Sequence, residues 1–393
     1  VLRREAPSNP VVLMLSLAAL ACWLWLPLGS IAPNRIVPGT AYSLPEALGW
    51  PLTVASCLPL LGLAVVAWRP GRLAYYAALA LTLLLLMALP LWLALMAQRH
   101  LDPELPQARL GIGAAGWLAL FWLSLLLVEL RTRLALAGWQ LGLWLLPVLG
   151  AWWLTAPWLE SLALWQEFRG RGEAFVEALV QHLLLVGGAV GTSLLLGAAI
   201  ALAMRQNPRV ERLGFALLNF LQTIPSLALF GLLLAPLAWL SARVEWLAAL
   251  GVSGIGWAPA FLALLGYSLL PMVRNTFVAL SEVDPGVLEA ARGMGMSRGQ
   301  VFRQVRLPLA LPVVLEGVRI TSVQAIGLTA VAALIGAGGL GTFIFQGLGQ
   351  AAMDLVLLGA LPILAMALAV DALLGALSRR LDHRNGQTTG ASP

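Results

Sequence analysis

The chain has 393 residues, 60 % of them hydrophobic and only 11 % charged, with a formal net charge of +6. That composition excludes a soluble globular domain and describes a chain that crosses a bilayer many times. All 24 basic residues are arginine, which excludes a Walker A loop and lysine Schiff-base chemistry on this chain, because both need a lysine.

Ten apolar runs approach the length needed to cross a membrane. The first, Val11–Leu28, follows Arg3-Arg4 as in a signal peptide. No small-x-small cleavage site closes it, so it reads as an uncleaved first span. Runs at Leu52–Trp68, Leu73–Ala97, Leu110–Val128 and Leu134–Leu154 complete a five-span block over residues 1–155. Residues 156–176 form a polar, aromatic-bearing connector expected outside the cytoplasm. A second five-span block, residues 177–380, holds runs at Glu177–Met204, Leu213–Leu240, Ala258–Leu280, Leu309–Ile335 and Leu355–Leu377. Residues 381–393 read as a polar cytoplasmic tail. Cys22 and Cys57 lie inside apolar runs. His100, His182 and His383 are scattered without metal spacing and read as structural or solvated.

Arginine placement orients the spans. With the N-terminus inside, the inner segments carry Arg3, Arg4, Arg69, Arg72, Arg131, Arg133, Arg205, Arg209, Arg212, Arg292, Arg298, Arg303, Arg306, Arg379, Arg380 and Arg384. The outer loops carry only Arg35, Arg99, Arg109, Arg169, Arg171 and Arg243. This asymmetry follows the positive-inside rule and expects both termini in the cytoplasm. Trp117, Trp139, Trp152, Trp153, Trp158, Trp239 and Trp246 lie near run ends, where indoles anchor at the interface.

The second block carries the distinctive polar residues. Gln222, Thr223, Pro225 and Ser226 sit mid-run, where proline bends a helix and polar side chains face protein or water. They read either as glue around a kink or as pathway lining and gate. Thr321, Ser322, Gln324 and Thr329 make a polar side on the ninth run, with the same two readings. Glu316 and Arg319 are one turn apart and can pair, and these charges and Asp371 read as structural. Gly187, Gly188, Gly191 and Gly197 give the sixth run a small-residue face for close packing. Gly336, Gly338, Gly339 and Gly341 fit G-x-G-x-x-G, but they follow an apolar run rather than a strand. A tight re-entrant turn accounts for them better than a nucleotide site.

One polar stretch, Asp284–Pro308, interrupts the runs. Asp284 and Pro285 suit a helix start, and Val287, Ala291 and Met294 fall on one apolar face. Gly293 and Gly295 supply the backbone freedom that ends it. Ser297 with Gln300 is a capping box for a second short helix, which places Val301, Phe302 and Val305 on one side and stops at Pro308. The composition by itself fits an ordinary membrane loop.

Its motif is more specific. Glu289-Ala290-Ala291, Gly295, Val305 and Leu307-Pro308 resemble the EAA signature of ABC importer permeases, departing only by Val305 in place of Ile. The wider segments QTIPSLALFGLL, LLGYSLLPMVRNTFVALSEVDP and IGAGGLG resemble permeases of glycine betaine, choline and related osmoprotectant importers. The first block, through Ala32–Val37, resembles a subset with extra N-terminal spans.

The resemblance implies an all-α polytopic membrane protein in the bacterial inner membrane, with a type I importer core in the second half. It implies coupling helices at residues 284–306, with Glu289, Ala290, Ala291, Met294, Gly295 and Met296 meeting a cytoplasmic ATPase. It further implies a substrate-binding protein outside, a second permease subunit of the same or a sister chain, and ATP and Mg on the ATPase. No cofactor, metal or catalytic residue is expected on this chain. The other solute class it leaves open is an amino acid such as methionine.

Overall fold

The computed structural model describes residues 8–35, 37–68 and 71–384. The readings placed on Arg3, Arg4, Ile36, Arg69, the side chains of His383 and Arg384, and the tail from Asn385 lie outside the described residues. The chain divides into two compact units, Val1–Gly170 and Arg171–Pro393.

The first unit runs α1 (Pro10–Trp25), β1 (Gly29–Ala32), β2 (Thr40–Tyr42), α2 (Leu44–Leu48), α3 (Trp50–Ala67), α4 (Arg72–His100), β3 (Arg109–Ile112), α5 (Ala114–Leu134), α6 (Gly138–Thr155) and α7 (Ala163–Gly170). Asn9 gathers the helix ends at one side of this unit. It is 3 % exposed, and its side-chain oxygen accepts from the Val11 and Val12 amides, capping α1. Its Nδ2 donates to Tyr75 of α4 and Glu129 of α5, and its backbone N–H donates to Ala67 of α3. Further along, the buried Trp23 indole of α1 donates to Ser56 Oγ of α3 at 3.0 Å, so a polar atom in an apolar core is satisfied.

At the other end lies a small antiparallel sheet in the order β2-β1-β3. The sequence reading has no strands there and starts its fourth run at Leu110, whereas Arg109–Ile112 is β3 and the helix begins at Ala114. Leu110 also bridges to Leu162, after α6. Buried Glu167 of α7 takes both Arg35 and Arg109, at 3.1 and 2.8 Å.

The second unit runs α8 (Gly172–Gln206), α9 (Pro208–Thr223), α10 (Ser226–Ser241), α11 (Glu245–Ala249), α12 (Trp257–Ser281), α13 (Pro285–Gly293), α14 (Arg298–Gln300), α15 (Leu307–Ala332), α16 (Gly341–Gly349) and α17 (Met353–Arg384). Helix α8 buries one narrow stripe, including Ala178, His182, Leu185, Ala189, Ser193, Gly197 and Ala201. That period of three to four is the signature of a helix packed along one side only. Gly197 lets α12 close in, because a Cβ there would sit 2.8 Å from Met272 Cγ. Gly188 meets Phe261 of α12, while Gly187 and Gly191 have no atom within 4 Å of that position, so the small-residue face divides between packing and open space.

Among the described residues, eight helices are long and apolar enough to cross a membrane, and the bent pair α9–α10 makes a ninth. Helix α1, with 16 residues, is apolar but shorter. Together they correspond to the ten runs. Their outward faces carry large apolar side chains such as Leu184, Leu195, Leu364 and Leu373. A surface of that kind is stable only against lipid or another apolar partner.

Candidate functional site

The polar stretch forms a compact tip between α12 and α15. Asp284 caps α13 by accepting from the Gly286 amide at 2.7 Å, as its sequence predicts. The helix ends in a full Schellman arrangement. Gly295 N–H donates to Arg292 O and Met296 N–H to Ala291 O, with Gly295 at φ +84°. Gly293 is the last helical residue and is not at positive φ, so Gly295 alone supplies the left-handed turn.

The buried face of α13 differs from the expected one. Leu288 and Ala291 are buried, whereas Val287 is 42 % and Met294 77 % exposed. In a nine-residue helix, Leu288–Ala291 and Val287–Ala291 both satisfy helical spacing, and tertiary packing chooses between them. Ser297 and Gln300 form the expected capping box. The helix they start does not stop at Pro308. Six π-helical residues, Val301–Arg306, carry it into α15 without a break. A π turn already leaves the α-helical bonding register, so the missing proline donor falls where that register is disrupted. Val301, Phe302 and Val305 pack with Leu280, Val283, Leu288 and Ala291, so one small apolar cluster fixes the tip to its supporting helices.

The six sequence-predicted tip residues therefore separate. Glu289, Ala290, Met294 and Gly295 are exposed, Ala291 is buried and Met296 is half-buried against the apolar cluster.

The Gln222–Ser226 segment is not a kink within one span. Helices α9 and α10 meet at 101° across a break at Ile224-Pro225. Gln222 Nε2 donates to Tyr267 O at 2.8 Å, and the Tyr267 hydroxyl donates to Ile224 O. Tyr267 of α12 thus holds the end of α9 and the first residue of the break, a role with no local sequence signal. Thr223 bonds within its own helix, to Phe220 O. Gln222→Ala is expected to lower stability by about 1 kcal/mol, the worth of one such bond, read from the thermal melt of the detergent-solubilised chain.

On α15, Thr321, Ser322 and Thr329 are buried and Gln324 is half-buried. Ser322 and Thr329 hydroxyls donate to carbonyls one turn back. On the same helix, Arg319 makes a two-pronged contact to Asp371 of α17 at 2.7 and 2.9 Å and also reaches Glu316. Gly375 makes room for the guanidinium, at 3.4 Å. Asp371→Asn is expected to lower the melting temperature, and exchanging the charges in an Arg319→Asp, Asp371→Arg double variant to restore part of it.

The glycine-rich run is a turn between helices. Gly336, Gly338 and Gly339 all have φ between +74° and +80°. Gln181 of α8 accepts from the Gly339 amide at 3.0 Å, and buried His182 faces Ile326 O through Nε2 at 3.1 Å. The run sends α16 back along α17.

Long helices with lipid-compatible faces, two of them joined through the α13–α14 tip, define a multi-pass membrane protein. Residues 193–383 match the family described as "Binding-protein-dependent transport system inner membrane component", and residues 8–165 match "ABC transporter permease YehY, N-terminal domain". The chain is 35 % identical over 214 residues to a carnitine transport permease protein, OpuCB, of Listeria monocytogenes, covering 54 % of this chain and 91 % of that protein. It is 41 % identical over 194 residues to an osmoprotectant import permease protein, OsmW, of Salmonella typhimurium, covering 49 % and 85 %. A choline transport system permease protein, OpuBD, of Bacillus subtilis is 34 % identical over 234 residues, covering 59 % and 96 %. The chain belongs to the binding-protein-dependent inner-membrane transport family and is a multi-pass inner-membrane protein.

Proposed function

We propose that this chain is the permease subunit of an ATP-driven importer for osmoprotectants such as glycine betaine. The observation that carries the solute class is the shared chemistry of its relatives. Two are named for carnitine and choline, both trimethylammonium compounds, and a third for osmoprotectants in general.

In this reading two permease subunits, the same or sister chains, enclose the path in a type I arrangement. A binding protein delivers solute from outside, and cytoplasmic ATPase subunits bind ATP and Mg. Both termini and the α13–α14 tip face the cytoplasm, in keeping with the arginine distribution. Glu289, Ala290, Met294 and Gly295 form the contact face for the ATPase, while Ala291 and Met296 hold the tip to its base. The cluster joining α13, α12 and the start of α15 makes the tip a lever rather than a loose loop. The break at Gln222–Ser226 and the polar side at Thr321, Ser322 and Gln324 are the elements through which tip movement reaches the path.

The test is uptake of labelled glycine betaine by the complex reconstituted in proteoliposomes, with choline, carnitine and ectoine as competitors. Competition by one or more of them is expected. Uptake of methionine or another amino acid in place of all four would overturn the solute assignment.

A further inference from the structure

The first unit carries a groove of about 540 Å³ where α6 ends, lined by aliphatic side chains together with Trp152, Trp153, Trp165 and Glu160. Its walls are held in place. The Trp152 indole donates to Leu86 O at 3.1 Å. Trp165 stacks on Phe168, with centroids 5.5 Å apart and planes at 27°. Trp153 is 77 % exposed and Trp165 45 %. Glu160 is exposed at the rim, where it also borders a neighbouring polar groove beside Arg169. Indoles that only anchor a helix at the lipid interface need neither concavity nor a carboxylate beside them. Trp158, 54 % exposed on the same turn and not lining the groove, is such an indole.

We propose that this groove binds a small, freely diffusing quaternary ammonium cation. Such a cation has no N–H to donate, so indole faces and a negative charge recognise it better than hydrogen bonds do. The groove is of small-ligand size, and Glu160 supplies the complementary charge. The inference rests on the solute class proposed above and extends it. The groove lies outside residues 193–383, so it gives the first unit a ligand of its own.

The test is equilibrium dialysis of radiolabelled choline against the full chain, purified in a maltoside detergent without added lipid. Saturable binding is expected. Glu160→Gln and Trp153→Leu should each raise Kd roughly three- to tenfold. Trp153→Phe, which keeps an aromatic face, should lose less than Trp153→Leu, and Trp158→Leu should leave Kd unchanged. Absence of saturable binding, or equal losses for Trp153→Leu and Trp158→Leu, overturns the proposal.

A second arm repeats the measurement in phosphatidylglycerol nanodiscs with and without phosphatidylcholine. An unchanged Kd is expected, and displacement of choline by the choline lipid would reassign the groove to a headgroup. Uptake by the assembled complex separates the two readings. Uptake without groove-dependent binding leaves the transport assignment standing and removes the site. Groove-dependent binding without uptake of any quaternary ammonium solute does the reverse.

Discussion

Replacing Glu289 with alanine, or Gly295 with valine, is expected to abolish solute uptake by the assembled transporter while the chain still inserts and folds. Glu289 is exposed on α13, so its removal costs the isolated chain about 0.5 kcal/mol or less. Gly295 is at φ +84° with no atom within 4 Å of where a Cβ would stand. A β-branched residue there is strained by about 1–2 kcal/mol. Open space lets the strain be released by re-aiming α13 against α14 rather than by unfolding. Asparagine tolerates the left-handed region, so Gly295→Asn should keep part of the uptake that Gly295→Val loses. Proteoliposome uptake is measured beside the gel-filtration profile and thermal melt of the same preparations. Normal uptake in both the Glu289→Ala and Gly295→Val variants would remove the proposed coupling role. Aggregated protein would assign the loss to folding.

Gly341→Ala should have the largest effect on stability. A Cβ at Gly341 would lie 1.9 Å from Ala330 O and under 3 Å from two more backbone atoms of α15. No side chain can rotate away, because the clash is with the main chain. Either α16 lifts off α15 or the turn through Gly336–Gly339 unwinds. The cost is on the order of 3 kcal/mol, read as a large fall in melting temperature and in the yield of monodisperse protein. Gly191→Ala is the control. It places the same methyl in open space within a helix and should be neutral or stabilising by about 0.5 kcal/mol. If both variants melt alike, the close approach at Gly341 does not limit stability.

What the sequence disclosed follows the range of the interactions involved. Apolar runs report a lipid environment segment by segment, so each of the ten runs overlaps a helix or the bent pair. Ends such as Val128 and Leu377 fall several residues short, because polar terminal turns continue the helix. Caps are equally local, so Asp284, Ser297 and Gln300 were readable from their spacing. The bend at Ile224-Pro225 was readable as a proline effect but not as a 101° turn, because its angle depends on the grip of Tyr267, more than 40 positions away. The strands at Gly29–Ala32 and Arg109–Ile112 are four residues each, too short for an alternating pattern to register. Leu288 has no distinguishing signal in the sequence, because helical spacing fits two faces of α13 equally well. Among the candidate pathway residues, Gln222 and Ser322 are occupied by hydrogen bonds to carbonyls, a detail of orientation that residue type does not carry.

The small sheet does more than tidy the loops of the first unit. β2 and β3 belong to one sheet, and the chain between them contains α3 and α4. A strand can pair only with a strand on its own side of the bilayer, so those two helices must cross as a complete out-and-back excursion. The Leu110–Leu162 bridge imposes the same condition on α5 and α6. A helix left uninserted, or inserted in the wrong direction, would deliver the next strand to the opposite side and leave the sheet open. The strand pairs thus act as a parity check on membrane insertion, closing only when each helical hairpin has been threaded correctly.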